Sequence, residues 1–343
     1  MAEKRRDEFG LISYLTERHN MPASLAGRVP VGNGDDAAVV SSRPGYDFIA
    51  CCDTIVENVH FKRETMLPHD IGYKALASNI SDVAAMGGIP LFYLVSLGLP
   101  QTWQEEELAE IYEGMAELAS HHQMALIGGD TVAVPGPLTL TVTVLGEVEQ
   151  GAALRRSSAQ PGDVVFVTGT VGDSGAGLHV LLQEGVAIHH VPAEWSSLTD
   201  RHRRPSPDVE AGRILAASGF RIAVNDISDG LASEAWEIAE ASSVRLILDE
   251  ANIPLNEASK RLAQESGKRA LDWAYYGGED YHLIGCVAAE HREALSRLFA
   301  AKSLPLYWIG SVQAGEVGVQ LRGRNGDVTQ IPKKGYNHFN DDK

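Results

Sequence analysis

The chain has 343 residues, a net charge of −17, and 44% hydrophobic against 22% charged residues, a globular composition long enough for two domains. Such an acidic balance argues against a nucleic-acid groove or an anionic membrane as partner, since both need a basic surface, yet it admits small phosphorylated ligands bridged to carboxylates by Mg²⁺. Three cysteines (Cys51, Cys52 and Cys286) make neither a disulfide framework nor a zinc site, and with no apolar run after the charged start or of membrane-spanning length, a soluble cytoplasmic protein is expected.

In chain order, Phe9, Ile12 and Leu15 predict an opening helix with Asp7 as its cap. Gly34-Asp35-Asp36 then reads as a turn entering a strand. Phe48-Ile49-Ala50 is an apolar run leading to Asp53-Thr54. An Ala-rich helix is expected over residues 71–86, with Asn79 and Asp82 three residues apart and a stripe of Lys74, Ser78 and Asp82 that reads as partly buried or as a solvated helix face. Leu108, Ile111, Tyr112, Met115 and Leu118 mark one face of another helix, with Tyr112 reading as core. Ala125-Leu126-Ile127 delivers Gly128-Gly129-Asp130-Thr131, and Leu138, Leu140, Val142 and Val144 alternate with threonines as a half-buried strand. A polar segment then ends in the turn Gln160-Pro161-Gly162-Asp163, which places a domain boundary between residues 1–149 and 150–343.

The second part opens with the strand Val164-Val165-Phe166-Val167 and a Gly-rich loop from Gly169 to Gly177, before a helix over residues 178–182. Ile222-Ala223-Val224 leads into Asp226-Ile227-Ser228-Asp229-Gly230, followed by the helical pattern Leu231, Ala235, Ile238, Ala239. Gly277-Gly278-Glu279-Asp280 comes last. Periodicities of 3.6 and 2 alternate throughout, as in an α/β or α+β fold. The order of the acidic motifs is echoed between the halves, too weakly to decide on a duplication.

Several acids follow apolar runs, and a carboxylate just past a buried strand stands at the carboxyl edge of a sheet, where open α/β folds place ligands. If the acids converge, their repulsion calls for hard divalent cations. Asp226, Ser228 and Asp229 crowd one turn, more than a helix cap needs, and are the strongest local signal. The amides of the Gly-rich loop could hold phosphate oxygens, although its spacing matches neither common nucleotide-binding pattern. Arg155, Arg156, Arg201, Arg203 and Arg204 are candidate phosphate cations or simply exposed.

Taken in order, Asp7-Glu8-Phe9-Gly10-Leu11-Ile12, Gly34-Asp35-Asp36-Ala37-Ala38, Asp53-Thr54 with His60-Phe61, Asn79-Ile80-Ser81-Asp82, Gly128-Gly129-Asp130-Thr131, Asp226-Ile227-Ser228-Asp229-Gly230-Leu231, Gly278-Glu279-Asp280-Tyr281 and Lys334-Gly335-Tyr336 resemble the thiamine-monophosphate kinase family, within the aminoimidazole ribonucleotide synthetase superfamily. The resemblance implies an N-terminal sheet domain that forms a homodimer, a C-terminal α/β domain, and transfer of the ATP γ-phosphoryl group to thiamine monophosphate. It implies Mg²⁺ ligands at Asp36, Cys52, Asp53, Asp82, Asp130, Asp226 and Asp229. Tyr112, Gly129, Arg156 and Ser228 would contact ATP, and His60, Glu279 and Tyr336 the thiamine substrate. Cys51-Cys52 departs from the family's Ser or Thr, so that a ligand at Cys52 would come from its backbone, and Asn58 stands where Gly is usual. Within the superfamily the alternatives are aminoimidazole ribonucleotide synthetase itself, selenophosphate synthetase and a hydrogenase-maturation dehydratase; the last two usually carry a reactive N-terminal or a C-terminal cysteine that this chain lacks. A non-catalytic nucleotide-binding protein is the alternative of another class.

Overall fold

The computed structural model describes residues 8–16, 19–32, 37–183, 188 and 191–334. The fold divides into two compact units, Met1–Val83 with Ile89–Gln150, and Ala84–Gly88 with Gly151–Lys343. Asp7, Asp36 and Tyr336 lie outside the described residues.

The first unit contains helices α1 (Glu8–Thr16), α2 (Pro68–Ala85) and α3 (Glu105–His121) and strands β1 (Tyr46–Val56), β2 (Ile89–Leu99), β3 (Ala125–Ala133) and β4 (Thr139–Glu149). The strands form one sheet in the order β1-β4-β2-β3, antiparallel except between β2 and β3. α3 begins on a capping box in which Glu107 accepts the Gln104 amide at 2.8 Å, and three glutamates in its first turn suit the positive end of the helix. Its apolar stripe (Leu108, Ile111, Tyr112, Met115, Leu118) is buried, as the 3.6 period requires. α2 meets α3 backbone to backbone: a Cβ on Gly72 would stand 1.7 Å from the Ile111 carbonyl oxygen, and one on Gly114 1.9 Å from that of His69.

β1 alternates strictly. Ile49, Cys51, Asp53 and Ile55 turn to the covered face, whereas Phe48, Ala50, Cys52 and Thr54 are exposed on the other. The register pairs Cys51 with Val144, Cys52 with Thr143 and Asp53 with Val142.

The second unit builds a seven-stranded sheet from β5 (Asp163–Val167), β6 (Ile222–Asp226), β7 (Arg245–Asp249), β8 (Leu283–Ala288), β9 (Tyr307–Gln313), β10 (Gly318–Arg322) and β11 (Val328–Gln330), in the order β11-β10-β7-β9-β5-β8-β6. Among the neighbouring pairs of these strands, β7 and β10 alone pair in parallel. Its helices are α4 (Asp173–Leu181), α5 (Ser196–Arg203), α6 (Val209–Ala217), α7 (Leu231–Ser242), α8 (Glu257–Ser266), α9 (Ala270–Tyr276) and α10 (Arg292–Ala301). Alternate strand residues feed two cores. Val165, Ala223, Leu246, Ile284 and Cys286 pack with Leu231, Ala235 and Ile238 of α7. Phe166, Ile222, Val224, Leu283 and Val287 pack with Leu215 of α6 and Leu295 and Phe299 of α10. β5, β6 and β8 are therefore apolar on both faces, which is why they read as short continuous apolar runs.

The expectation that the acids lie just past buried strands needs correction. Asp226 does end β6, but Asp53 lies inside β1 and Asp130 inside β3. β1 is an edge strand with one face open, and the β-branched Thr54, Ile55 and Val56 carry it beyond the acid; Thr131 and Val132 do the same in β3. Among the described residues, no helix is long and apolar enough to cross a membrane.

Candidate active site

In the first unit, functional side chains gather where β1 faces α2. Asn79 is completely buried; its Oδ1 accepts the Asp53 amide at 3.1 Å, and its Nδ2 donates to the Ala75 carbonyl at 3.1 Å. Burial pushes the Asp53 carboxyl above its ordinary pKa, with a hydrogen bond from Ser78 and the nearby His60 pulling the other way. Cys51 lies on the same face, its Sγ 3.3 Å from the Asn79 carbonyl oxygen. Burial, then the charges of Asp82 and Asp53, push its thiol far up, so it stays protonated. Lys74 and Ser78 of the polar stripe are buried and Asp82 is half-buried.

Cys52 points to the opposite face, where Thr143 donates to its Sγ at 3.4 Å. Its side chain is thus directed away from Asp53, leaving the main chain as all it offers there. His60 follows β1 in a short loop, and its Nδ1 accepts the Val56 amide at 3.0 Å, which leaves the proton of the neutral ring on Nε2. Glu57 braces that loop by accepting from Trp103 Nε1 and the Leu138 amide, both at 3.1 Å. Asn58 has a φ of +67°, a left-handed conformation that Asn tolerates better than other side chains. Asn in place of Gly therefore preserves the turn.

Asp130 is exposed and accepts the Thr131 amide at 2.9 Å. Beside it, Gly129 has no room for a side chain, because a Cβ would stand 2.0 Å from the Val95 carbonyl oxygen. Tyr112 is only 5% exposed, edge-on to the His19 ring at 5.7 Å, and burial raises its hydroxyl above the usual range.

In the second unit the site surrounds the end of β6. Asp226 is buried, and Ser228 and Asp229 are half-buried in the loop leading to α7. Glu234, from the first turn of α7, reaches back into this loop. It accepts the Asp229 amide at 3.1 Å, lies 3.4 Å from Ser228 Oγ, and accepts a short hydrogen bond from Asn225 Nδ2. Burial first, then the charges of Asp226, Glu237 and Asp229, push its carboxyl up to about 9. Arg156 joins this group through Nε to Asn225 Oδ1 at 2.8 Å and through its guanidinium to Glu237 at 2.9 Å. Reading the sequence overlooked Asn225, Glu234 and Glu237. An acid in the first turn of a helix that follows an acidic loop was the available signal.

Three amides of the Gly-rich loop are bonded within the protein. Asp280 accepts the Gly172 amide at 2.5 Å and the Ser174 amide at 3.0 Å, and the Val171 amide goes to the Pro254 carbonyl. α4 consequently starts at Asp173, five residues earlier than the apolar pattern suggested. Of the arginine run near Arg201, Arg203 pairs with Asp200 at 2.7 Å, while His202 is buried against Ser174 and Glu279. Among the described residues, no three His, Cys, Asp or Glu side chains close on a point that would hold a metal ion by themselves.

Two family models match in tandem: the AIR synthase related protein N-terminal domain over residues 34–148 and the corresponding C-terminal domain over residues 160–322. The chain is 47% identical to the thiamine-monophosphate kinase of Bacillus subtilis, covering 97% of this chain and 99% of that protein. Against the Escherichia coli thiamine-monophosphate kinase it is 38% identical, with coverages of 97% and 98%. The crystal structure of thiamine-monophosphate kinase from Stenotrophomonas maltophilia K279a matches with a TM-score of 0.82 at 37% identity, covering 94% of this chain and 98% of that one. That of AaThiL complexed with AMPPCP and TMP matches at 0.76 and 30% identity, covering 99% and 100%.

Proposed function

The chain belongs to the thiamine-monophosphate kinase family, and from that membership we infer that it transfers the γ-phosphoryl group of ATP to thiamine monophosphate, giving thiamine diphosphate and ADP. What carries the reading is likeness along the whole length, through both units, to proteins of this name, one of them complexed with AMPPCP and TMP.

The acceptor is itself a phosphate, ionised at neutral pH, so the chain need not supply a general base. Its task is to bring two anions into line and to offset their repulsion as charge spreads over the transferring group. Carboxylate and hydroxyl oxygens are hard donors suited to Mg²⁺, and Glu234, its carboxyl pushed up by burial and by Asp226, Glu237 and Asp229, marks negative charge that the protein's own cations leave unmatched. Asp53, Asp82 and Asp130 on the first unit and Asp226 and Asp229 on the second would hold Mg²⁺, with Asp36 and the Cys52 backbone as further ligands. When bound, the cations supply electrostatic stabilisation of the in-line transfer. Arg156 and Ser228, with Tyr112 and Gly129, would orient ATP. His60, with its Nε2 proton, Glu279 and Tyr336 would hold the thiamine substrate, a carboxylate being suited to a cationic heterocycle. The open face of the first unit's sheet, where Phe48 is 48% exposed, supports a homodimer formed through that sheet.

The test is a coupled assay of ADP release with ATP and Mg²⁺, with thiamine monophosphate, free thiamine or no acceptor. Thiamine diphosphate should form only with the monophosphate. Equal turnover of free thiamine, or ADP release indifferent to the acceptor, would overturn the reading.

A further inference from the structure

Between α9 and β8 the backbone takes a form that side chains rarely adopt. Glu279 has a φ of +67° and Tyr281 of +53°, on either side of Asp280. Such a segment persists only where its surroundings fix it, and here they do. The Glu279 amide donates to the Ser228 carbonyl at 2.6 Å, the Tyr281 amide to that of Ile227 at 2.9 Å, and the Ile227 amide to that of His282 at 2.7 Å. Asp280 adds the remaining anchor. Its buried carboxylate accepts the Gly172 and Ser174 amides at the first turn of α4.

The Glu279 side chain is held separately. Its Oε2 lies 3.4 Å from His202 Nδ1, and the same nitrogen is 3.1 Å from Ser174 Oγ. Ser174 thus serves both routes: its amide anchors the Glu279 backbone through Asp280, and its hydroxyl anchors the Glu279 carboxylate through His202. Neither Asp280 nor His202 belongs to the ligand sets inferred above. We propose that Asp280 and His202 are positioning residues that aim the Glu279 carboxylate at the thiamine substrate. This rests on the reading of Glu279 as a substrate contact and explains why a residue at that position accepts a left-handed backbone. Neither positioning residue takes or gives a proton in the reaction.

The test is a pair of double-mutant cycles on the full-length enzyme, reading KM for thiamine monophosphate, KM for ATP and kcat, with thermal melting of every variant. Glu279→Gln should raise KM for thiamine monophosphate by ~10-fold or more, and Asp280→Asn and His202→Gln should do so by a similar factor. KM for ATP and kcat should stay within about threefold, the pattern of lost ground-state binding. In the Glu279→Gln background, adding either second substitution should change KM by less than about twofold, because the group they aim is gone. Effects that multiply independently would overturn the positioning role and leave the substrate reading intact. An unchanged KM in Glu279→Gln alone would overturn the substrate reading of Glu279 and the proposal with it. If Asp280→Asn does not fold, as melting will show, the His202→Gln cycle decides by the same criterion.

Discussion

The two units hold their acids by different means. In the first, Asp53, Asp82 and Asp130 sit inside regular elements, so that alternation along a strand or the turn of a helix already points each side chain. In the second, Asp226 ends a strand, but Ser228, Asp229 and Glu279 sit in irregular loops with supports of their own: Glu234 on the Asp229 amide, Asn225 between Glu234 and Arg156, and Asp280 on the first turn of α4. An acid carried on a regular element is aimed by the element, whereas one on a loop needs its own supports. Substituting a support should therefore disturb stability in the first unit and turnover or substrate binding in the second.

The largest effects should come from the acids themselves, and they should be equal in the two units. Asp53→Asn and Asp229→Asn are each expected to lower kcat by ~10²–10³-fold, the range for removing a key electrostatic group. Because burial already disfavours the Asp53 charge, Asp53→Asn should melt no lower than wild type in EDTA. Retained activity in one unit's variant would show that only the other carries the chemistry.

The supports come next. Glu234→Gln should lower turnover by ~10–100-fold at little change in melting temperature, as for groups that orient ligands. Asn79→Ala should instead keep turnover within about tenfold while losing ~1–3 kcal/mol of stability, since it leaves the Asp53 amide without its acceptor. Denaturant titrations beside steady-state assays check both, and the reverse pattern would break the comparison.

A smaller effect is expected from pH. Burial pushes the Asp280 carboxyl from its ordinary 3.8 up to about 7, against the pull of the Gly172 and Ser174 amides and of His282, with Asp173 adding to the rise. Between those values the folded protein keeps a proton that the unfolded chain has released, so this group's contribution to stability falls as pH rises through that window. Melting curves from pH 4 to 8 should be flatter for Asp280→Asn than for wild type; parallel curves would place the titration elsewhere. Smallest of all, Cys52→Ser should leave kcat and KM within about twofold, and so should Cys51→Ser, because a thiol is a poor Mg²⁺ ligand. A hundredfold loss in either folded variant would give the sulfur a chemical role.

What the sequence revealed follows the same division. Period 2 alone shows that only one of Cys51 and Cys52 can share a face with Asp53, and the 3.6 period exposes the α3 stripe and the buried polar stripe of α2. The Asp226–Asp229 cluster is legible because three polar side chains crowd one turn. Its supports are not. Glu234 reads as an ordinary helix charge, and the Gly-rich loop reads as an anion cradle because nothing local shows that Asp280, 108 positions from Gly172, has already taken two of its amides. Tyr112, a core residue by every local measure, entered the candidate site only through the family resemblance.

The crossing of α2 and α3 has a consequence for inherited variation. With hydrogen atoms where other helix pairs interpose side chains, Gly72 and Gly114 leave no compressible layer between the two backbones. A single methyl group there would act as a wedge, tilting the helix that carries Asp82 against the one that carries Tyr112. A loss-of-function allele at Gly72 or Gly114 would leave every acid in place and still misalign the site. Such an allele should be heat-sensitive, and no second side-chain replacement should suppress it, because the atoms the methyl meets are backbone.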